Sequence, residues 1–425
     1  MQMELQCAEG FDTAVFSGKR ADYRIMPDRL NGGWLVSDMR EGAPDGADIL
    51  LGVEWLEFAD GLVDVETLDT TVTWIVDATG AGDFTDVGQA IRMALPGDHI
   101  EVRAGTYTGF IVDKAITIAG GPGVVVEGSF LEDNNIPQGA TVDQWLQFAT
   151  TFDGLSGDGI LVAASGVRLR GLTIEGFRNG VRLAGGPVPI VDTVLEDLAI
   201  FNVVTGIANT PGSHGTCTSR IDGMRISRLY IAHACHGIEV LDPCNRGGLL
   251  RGLLVEDSSF EFILSKGIHA QLLEDSKLTG ITMSDVGQFG GAGPFGDVGS
   301  CGNGIDLDLK QGSLAGIVID GFEFNDVGLS YGSGVPHPGG GAIAVTARSD
   351  AACEGALLIR NGSIRGTSTG VRVGGHGLAW VAVVVENVTV TDQMASVDSG
   401  AFQDHAAPAG FIAAASVGAG GPAAK

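Results

Sequence analysis

The chain has 425 residues, 44% of them hydrophobic, with 67 glycines, 6% aromatic residues and a formal net charge of −27. That length and apolar content allow a large core, in one elongated domain or several compact ones, and exclude a disordered chain. The acidity excludes a nucleic-acid partner, because phosphate binding rests on clustered Lys and Arg and the 25 present form no cluster.

Abundant glycine, short Val/Ile/Leu runs and few helical stripes predict an all-β chain of short strands and tight turns. The charge is compatible with calcium, cationic ligands, or a polyanion bridged by divalent ions. No stretch approaches the roughly 20 apolar residues of a membrane span, and Met1 to Phe11 lacks the basic start and apolar run of a signal peptide. Six cysteines are too few for a disulfide scaffold. Cys217 and Cys244 fall in the turns after successive Gly-Ile strands, where they either bridge or act as small buried apolar residues. No Cys-x-x-Cys or His-rich pattern suggests zinc.

Residues 1–72 read as a small β unit whose short strands are closed by Asp-Gly pairs. Its last part runs from Asp45 through Asp48, Leu50, Val53, Glu54, Leu56 and Phe58 to Asp60-Gly61. That pattern resembles a segment accompanying calcium-binding repeats-in-toxin proteins, although the Gly-Gly-x-Gly-x-Asp repeats of that family are absent. The resemblance implies calcium, with Asp45, Asp48 and Asp60 as candidate ligands, and secretion by a type I route. Read from the residues alone, the same aspartates are turn residues. Because the segment begins almost at Met1, the chain also reads as a piece of a larger secreted protein.

From Thr73 a helical stretch follows at Val87 to Leu95, with Val87, Ala90, Ile91 and Ala94 on one face. Pro96-Gly97-Asp98, His99-Ile-Glu-Val-Arg103 and Ala104-Gly-Thr-Tyr107 come next. This order resembles the opening of proteins of the pectate-lyase-like superfamily, which implies a right-handed parallel β-helix capped by the helix. Such a cap covers the core cross-section and unpaired edges of an open solenoid end. Residues 129–158 interrupt the rhythm and are expected outside the stack. The β-helix is expected over 73–405, followed by an Ala/Gly-rich tail over 406–425.

A repeat then recurs, mostly at intervals near thirty residues: Asn179-Gly-Val-Arg-Leu, Thr205-Gly-Ile-Ala, His236-Gly-Ile-Glu-Val, Lys266-Gly-Ile-His, Asn303-Gly-Ile-Asp-Leu and Thr369-Gly-Val-Arg-Val. Strands alternate faces, so an inward Ile or Val sends the next residue outward. The outward series is Arg182, Ala208, Glu239, His269, Asp306, Ala344 and Arg372, with Leu241, Gln271, Asp308 and Thr346 two positions later. Coils stack at about 4.8 Å, so Glu239, His269 and Asp306 are expected in one column flanked by His236, Lys266 and Asp308. Titratable groups stacked this way perturb one another's pKa values as functional sites do. The Gly-rich insertions 287–302 and 328–340 reach this face from one corner. Asp197, Ser227, Asp257, Gly321 and Asn387, on another strand, are expected to form an inward ladder bonding turn backbone. Glu196, Glu256 and Glu386 beside them read as structural.

The candidate catalytic residues are therefore Glu239, His269, Asp306, Asp308 and Lys266, and the candidate substrate-binding residues His236, Gln271, Arg182 and Arg372. Glu239 and Asp306, two rungs and about 9.6 Å apart, approach the spacing of an inverting glycosidase. Asp306 and Asp308, about 7 Å apart on one strand, are a second pair. In a lyase, Lys266 or His269 would abstract the C5 proton of a uronate while a cation at Asp306 and Asp308 neutralises its carboxylate. Polygalacturonase elements occur only in part, as Ser213-His214-Gly215 and as Gly375-His376-Gly377 without an Asp pair before it. The stretch Leu241-Asp242-Pro243-Cys244 resembles the Tyr-Gly-Phe-Asp-Pro-His motif of alginate C5-epimerases, with Glu239 in place of the Tyr and Cys244 in place of the His. The expectation is a secreted, monomeric lyase or glycoside hydrolase acting on an acidic polysaccharide. The alternatives are a calcium-dependent glycan-binding or surface module and an epimerase-like protein lacking the usual catalytic Tyr and His.

Overall fold

Short apolar runs that turn every second residue inward need hydrogen-bond partners on both edges. Here the partners are the corresponding runs one coil earlier and one coil later. The computed structural model describes residues 2–6, 11–28, 31–129, 157–184, 188–209, 220–241, 250–271, 273–288, 302–309, 312–328, 340–347, 353–375, 382–392, 402–405 and 413–419. Cys217, Cys244, the Ser213-His214-Gly215 element, Asp242-Pro243, His376-Gly377 and most of the two Gly-rich insertions lie outside these residues, as does nearly all of the 129–158 interruption.

The chain divides into two compact units, Met1–Trp74 with Gly97–His99, and Ile75–Pro96 with Ile100–Lys425. In the first, Tyr23–Asp28 and Gly33–Asp38 form a hairpin, and Ala47–Leu51 pairs antiparallel with the second of these strands. A smaller sheet joins Thr13–Val15, Trp55–Phe58 and Gly61–Asp64. Between them the rings of Phe16, Tyr23 and Phe58 pack with centroids 5.1–5.2 Å apart, enclosed by Val36, Leu50 and Leu56.

The second unit is a parallel β-helix. The helix Val87–Met93 opens on Asp86, whose side chain accepts from the Gln89 N–H at 2.9 Å. It buries Val87, Ala90 and Ile91, and its free carbonyls at Ile91 and Ala94 accept from Lys114 Nζ at 2.9 and 3.1 Å. A cation at that end also opposes the negative pole of the helix dipole.

Each coil contributes three ladders, and the inward residues of each ladder stack in register. One column runs Val181, Ile207, Ile238, Ile268, Ile305, Ile343 and Val371, none more than 1% exposed. A second runs Leu195, Ile226, Val255, Leu278 and Ile319. A third runs Ile200, Ile231, Phe260, Met283 and Phe324. Stacking apolar on apolar from coil to coil builds a continuous core. The expected tail is partly within the stack: Ala413–Ala419 pairs in parallel with Ala382–Thr391. A low-complexity run of small residues can still donate and accept along a ladder, which composition does not reveal.

The expected inward polar ladder is corrected. Asp197, Asp257 and Asn387 are exposed and have φ of 51°, 47° and 51°. They sit at the outer corner where the chain passes from one sheet to the next, because short polar side chains tolerate left-handed backbone by bonding locally. Buried turn backbone is instead bonded by single serines at two different corners. Ser258 Oγ accepts from Leu229 N at 3.2 Å and donates to Glu256 O at 2.7 Å. Ser276 does the same between Leu253 N, at 3.0 Å, and Glu274 O, at 2.6 Å.

Candidate functional site

The Gly-Ile strands pair in the register that the repeat predicts. Glu239 stands opposite His269, and His269 opposite Asp306. The residues before the glycines form a second row, His236 opposite Lys266 and Lys266 opposite Asn303. In a regular strand, residues i and i+3 face opposite sides. Here they touch: Lys266 Nζ lies 3.3 Å from His269 Nε2, Asn303 Nδ2 donates to Asp306 Oδ2 at 3.0 Å, and His236 Nδ1 lies 3.7 Å from Glu239 Oε1.

The intervening glycines permit this. A Cβ on Gly237 would sit 2.2 Å from the carbonyl oxygen of Gly267, and one on Gly304 2.5 Å from that of Ala342. Neighbouring coils therefore approach closely at the glycine column, and the register between the strands of His236 and Lys266 is irregular just before it. The local irregularity brings the two rows together over one cluster.

Five side chains form a continuous chain of contacts. Lys266 Nζ is 2.7 Å from Asp306 Oδ2. An ammonium only donates, so His269 accepts from Lys266 at Nε2 and carries its proton on Nδ1. That Nδ1–H then donates to Glu239 Oε1 at 3.4 Å. Glu239 faces His236 Nδ1 in turn, a buried nitrogen with no hydrogen-bond partner within reach. With a carboxylate facing Nδ1, the proton of neutral His236 belongs on that nitrogen, and Nε2 is left as the basic atom.

Burial and charge are uneven along this chain. Lys266, His269 and Asp306 are 4%, 7% and 3% exposed, whereas the side chains of Glu239 and His236 keep 17% and 26%. Burial alone would raise the Glu239 carboxyl, but His236, the His269 hydrogen bond and Lys266 outweigh it and hold it down to about 2. Asp306 is also below the usual carboxylate range, because Lys266, His269 and Asn303 together overcome its burial. His236 is pushed below its ordinary 6.5 by burial, with Glu239 opposing. The cluster thus holds two anionic carboxylates, a paired lysine and a histidine that is neutral at pH 7.

The remaining candidates are spread along the same face. Arg182 lies two rungs below Glu239, with Ala208 between them, and its Nε is 2.7 Å from Asp158 Oδ2. Asn179 donates to the other Asp158 oxygen at 2.8 Å. Arg372 lies two rungs above Asp306, with Ala344 between. Gln271 is buried, its backbone N–H donating to Val240 O at 2.9 Å. Asp308 pairs with Thr346 in the strand Asn303–Leu309, and its side chain is outside the described residues. Asn303 is the functional neighbour that the candidate set omits. It occupies the repeat position of His236 and Lys266, and its Oδ1 also accepts from Gly341 N at 2.9 Å, tying the cluster to the next coil.

The aspartates expected to hold calcium do not converge. Asp45 accepts from Ser17 N at 2.7 Å, from the Tyr23 hydroxyl and from Arg40 at 3.1 Å. Asp60 accepts from Arg20 N at 2.8 Å, and Asp48 lies in a paired strand opposite Val36. Among the described residues no three His, Cys, Asp or Glu side chains stand where they could share an ion. The carboxylates of Asp45 and Asp60 are engaged by the protein's own donors.

No family model and no curated protein matches the chain. Among solved structures it is similar to a rhamnogalacturonan lyase, at 11% identity and a TM-score of 0.42 over 75% of this chain and 73% of that one. It is similar to a pectate lyase at 14% identity and a TM-score of 0.39, over 80% and 81%. It is also similar to the Family 28 exopolygalacturonase of Yersinia enterocolitica, at 9% identity and a TM-score of 0.43, over 91% and 82%. No helix among the described residues is long and apolar enough to cross a membrane.

Proposed function

We propose that the protein is a secreted, carbohydrate-active β-helix enzyme that cleaves the C4–O bond of an acidic, uronate-containing polysaccharide by β-elimination, with His236 as the base. The observation carrying this reading is the chain Asp306–Lys266–His269–Glu239–His236, which ends at a neutral, partly exposed imidazole beside a carboxylate. His236 Nε2 takes the C5 proton, the C5 electron pair forms the C4–C5 double bond, and the C4–O bond breaks. The departing oxygen then takes a proton from the imidazolium or from water. Lys266 and His269, the bases suggested by spacing, are buried and paired, so the base moves to the outer end of the chain.

Elimination is favoured over hydrolysis because an inverting hydrolase needs one carboxylic acid protonated near neutral pH. Glu239 and Asp306 are both held below the ordinary range. Arg182, two rungs below Glu239, is the candidate partner of the substrate carboxylate. Epimerisation would share the proton abstraction but leave the C4–O bond intact.

A second reading has support from burial: Lys266, His269 and Asp306 form a closed ion-pair network that could serve structure alone in a glycan-binding module. The deciding experiment incubates the protein and H236Q with a panel of uronate-containing and neutral polysaccharides. Ultraviolet absorbance from unsaturated ends, lost in H236Q, supports the lyase. Reducing ends without absorbance identify a hydrolase, and binding without product identifies the module.

A further inference from the structure

The corner between the third ladder and the Gly-Ile ladder carries residues in left-handed backbone on successive coils: Gly176, Asn202, His233, Phe262, Asp285 and Asp326, with φ from 49° to 76°. Gly, Asn and Asp are the residues that tolerate this conformation. Histidine, as at His233, also occurs there, so Phe262 is the departure: a bulky aromatic in this region is a backbone outlier of the kind that clusters at ligand sites. Nor are these rings covered. His233 is exposed and Phe262 is 45% exposed, yet they stack on each other with centroids 5.2 Å apart and planes 4° from parallel. Two successive coils thus present stacked aromatic rings to solvent, the Phe262 one on unfavourable backbone.

The surroundings define what fits against them. Three residues before this corner runs an outward column in which Ser259, Thr282, Glu323, Ser363 and Thr389 pair in turn. Its upper part lines a groove of about 510 Å³ that also includes Asn361. These are hydroxyls, amides and one carboxylate, with Glu261 beside Phe262 in sequence and Asp285 at the same corner of the next coil. Such a surface repels a polyanion but accepts hydrogen bonds from sugar hydroxyls, while an aromatic ring packs on the C–H face of a pyranose.

We infer that His233 and Phe262 form a stacking platform for a neutral sugar ring of a polysaccharide bound beside the hydroxyl-bearing outward column of the third ladder. The platform is distinct from the His236 cluster, and its assignment does not depend on any catalytic role there.

The test measures binding of soluble neutral polysaccharides (a galactan, an arabinan and a β-glucan) and of polygalacturonate by affinity electrophoresis and calorimetry. The proteins compared are the full chain, F262N, H233N, F262W and H236Q. Asparagine tolerates the left-handed corner, so F262N and H233N are expected to melt at the same or a higher temperature while binding a neutral polymer roughly tenfold more weakly, the loss of one aromatic stack. F262W should retain binding. The inference is overturned if the unaltered chain binds no neutral polymer, if F262N binds it equally well, or if Phe262 supports binding of polygalacturonate instead. A fall in F262N melting temperature with binding unchanged would make the stack a structural cover. Loss of uronate cleavage in H236Q bears on the lyase reading alone.

Discussion

Glu239 Oε1 lies 3.4 Å from His269 Nδ1, although the two residues are 30 positions apart in sequence. One turn of the solenoid closes that distance, and the same register delivers Asp306 and Lys266 to the other side of His269. Each ionisable group is flanked by its complement, which lets a cluster of charges survive burial.

Removing one partner of the innermost pair should therefore cost more than removing both. K266M leaves Asp306 buried without its cation, and a loss of about 3–5 kcal/mol is expected. The double variant K266M/D306L should recover much of that loss. Denaturant titration of the four proteins of the cycle measures the coupling, and simple additivity would contradict a direct pair.

Acid stability should reflect Glu239. Its folded pKa of about 2 lies below the ordinary 4.5, so the unfolded chain binds the proton more readily. The stabilisation is complete above about 4.5 and is lost as pH falls towards 2. E239Q should flatten the dependence of melting temperature on pH across that window.

His236 also has a lowered pKa, so its contribution is lost at a higher pH, as the unfolded chain begins to protonate below 6.5. If it is the base, the acid limb of kcat/KM lies below pH 6.5. Glu239 opposes the downward shift, so E239Q should move the limb further down and slow turnover by roughly 10²–10⁴-fold. An unmoved limb would assign the base elsewhere.

Calcium removal is expected to leave stability and product formation unchanged, because Asp45, Asp60 and Asp306 are engaged by protein donors. Melting curves and product assays with and without a chelator check this.

G237A should damage both fold and cluster. The added methyl would stand 2.2 Å from the Gly267 carbonyl and 2.9 Å from the Phe260 ring, an overpacking of about 1–3 kcal/mol or more. A variant of unchanged stability would mean that the coils can separate there.

The solenoid was legible because a strand has a period of two and a parallel stack repeats its register. The inward Ile and Val could be read off the Gly-Ile repeat, and with them the column of Glu239, His269 and Asp306. What alternation could not reveal is that His236, Lys266 and Asn303 belong to the same cluster, since i and i+3 should face apart. Nor could it show that Asp197 and Asp257 mark outer corners while Ser258 and Ser276 carry the buried bonds.

Sequence alone thus determined which residues stack, because stacking follows from a repeat that is written in the chain. Only the tertiary structure decided what those residues do to each other. Close approach of the coils at Gly237 and Gly304 turns neighbouring side chains together, and burial makes Lys266 and Asp306 a closed pair while His236 remains at the surface. Distance and desolvation set charge state, and both depend on coils about thirty residues apart.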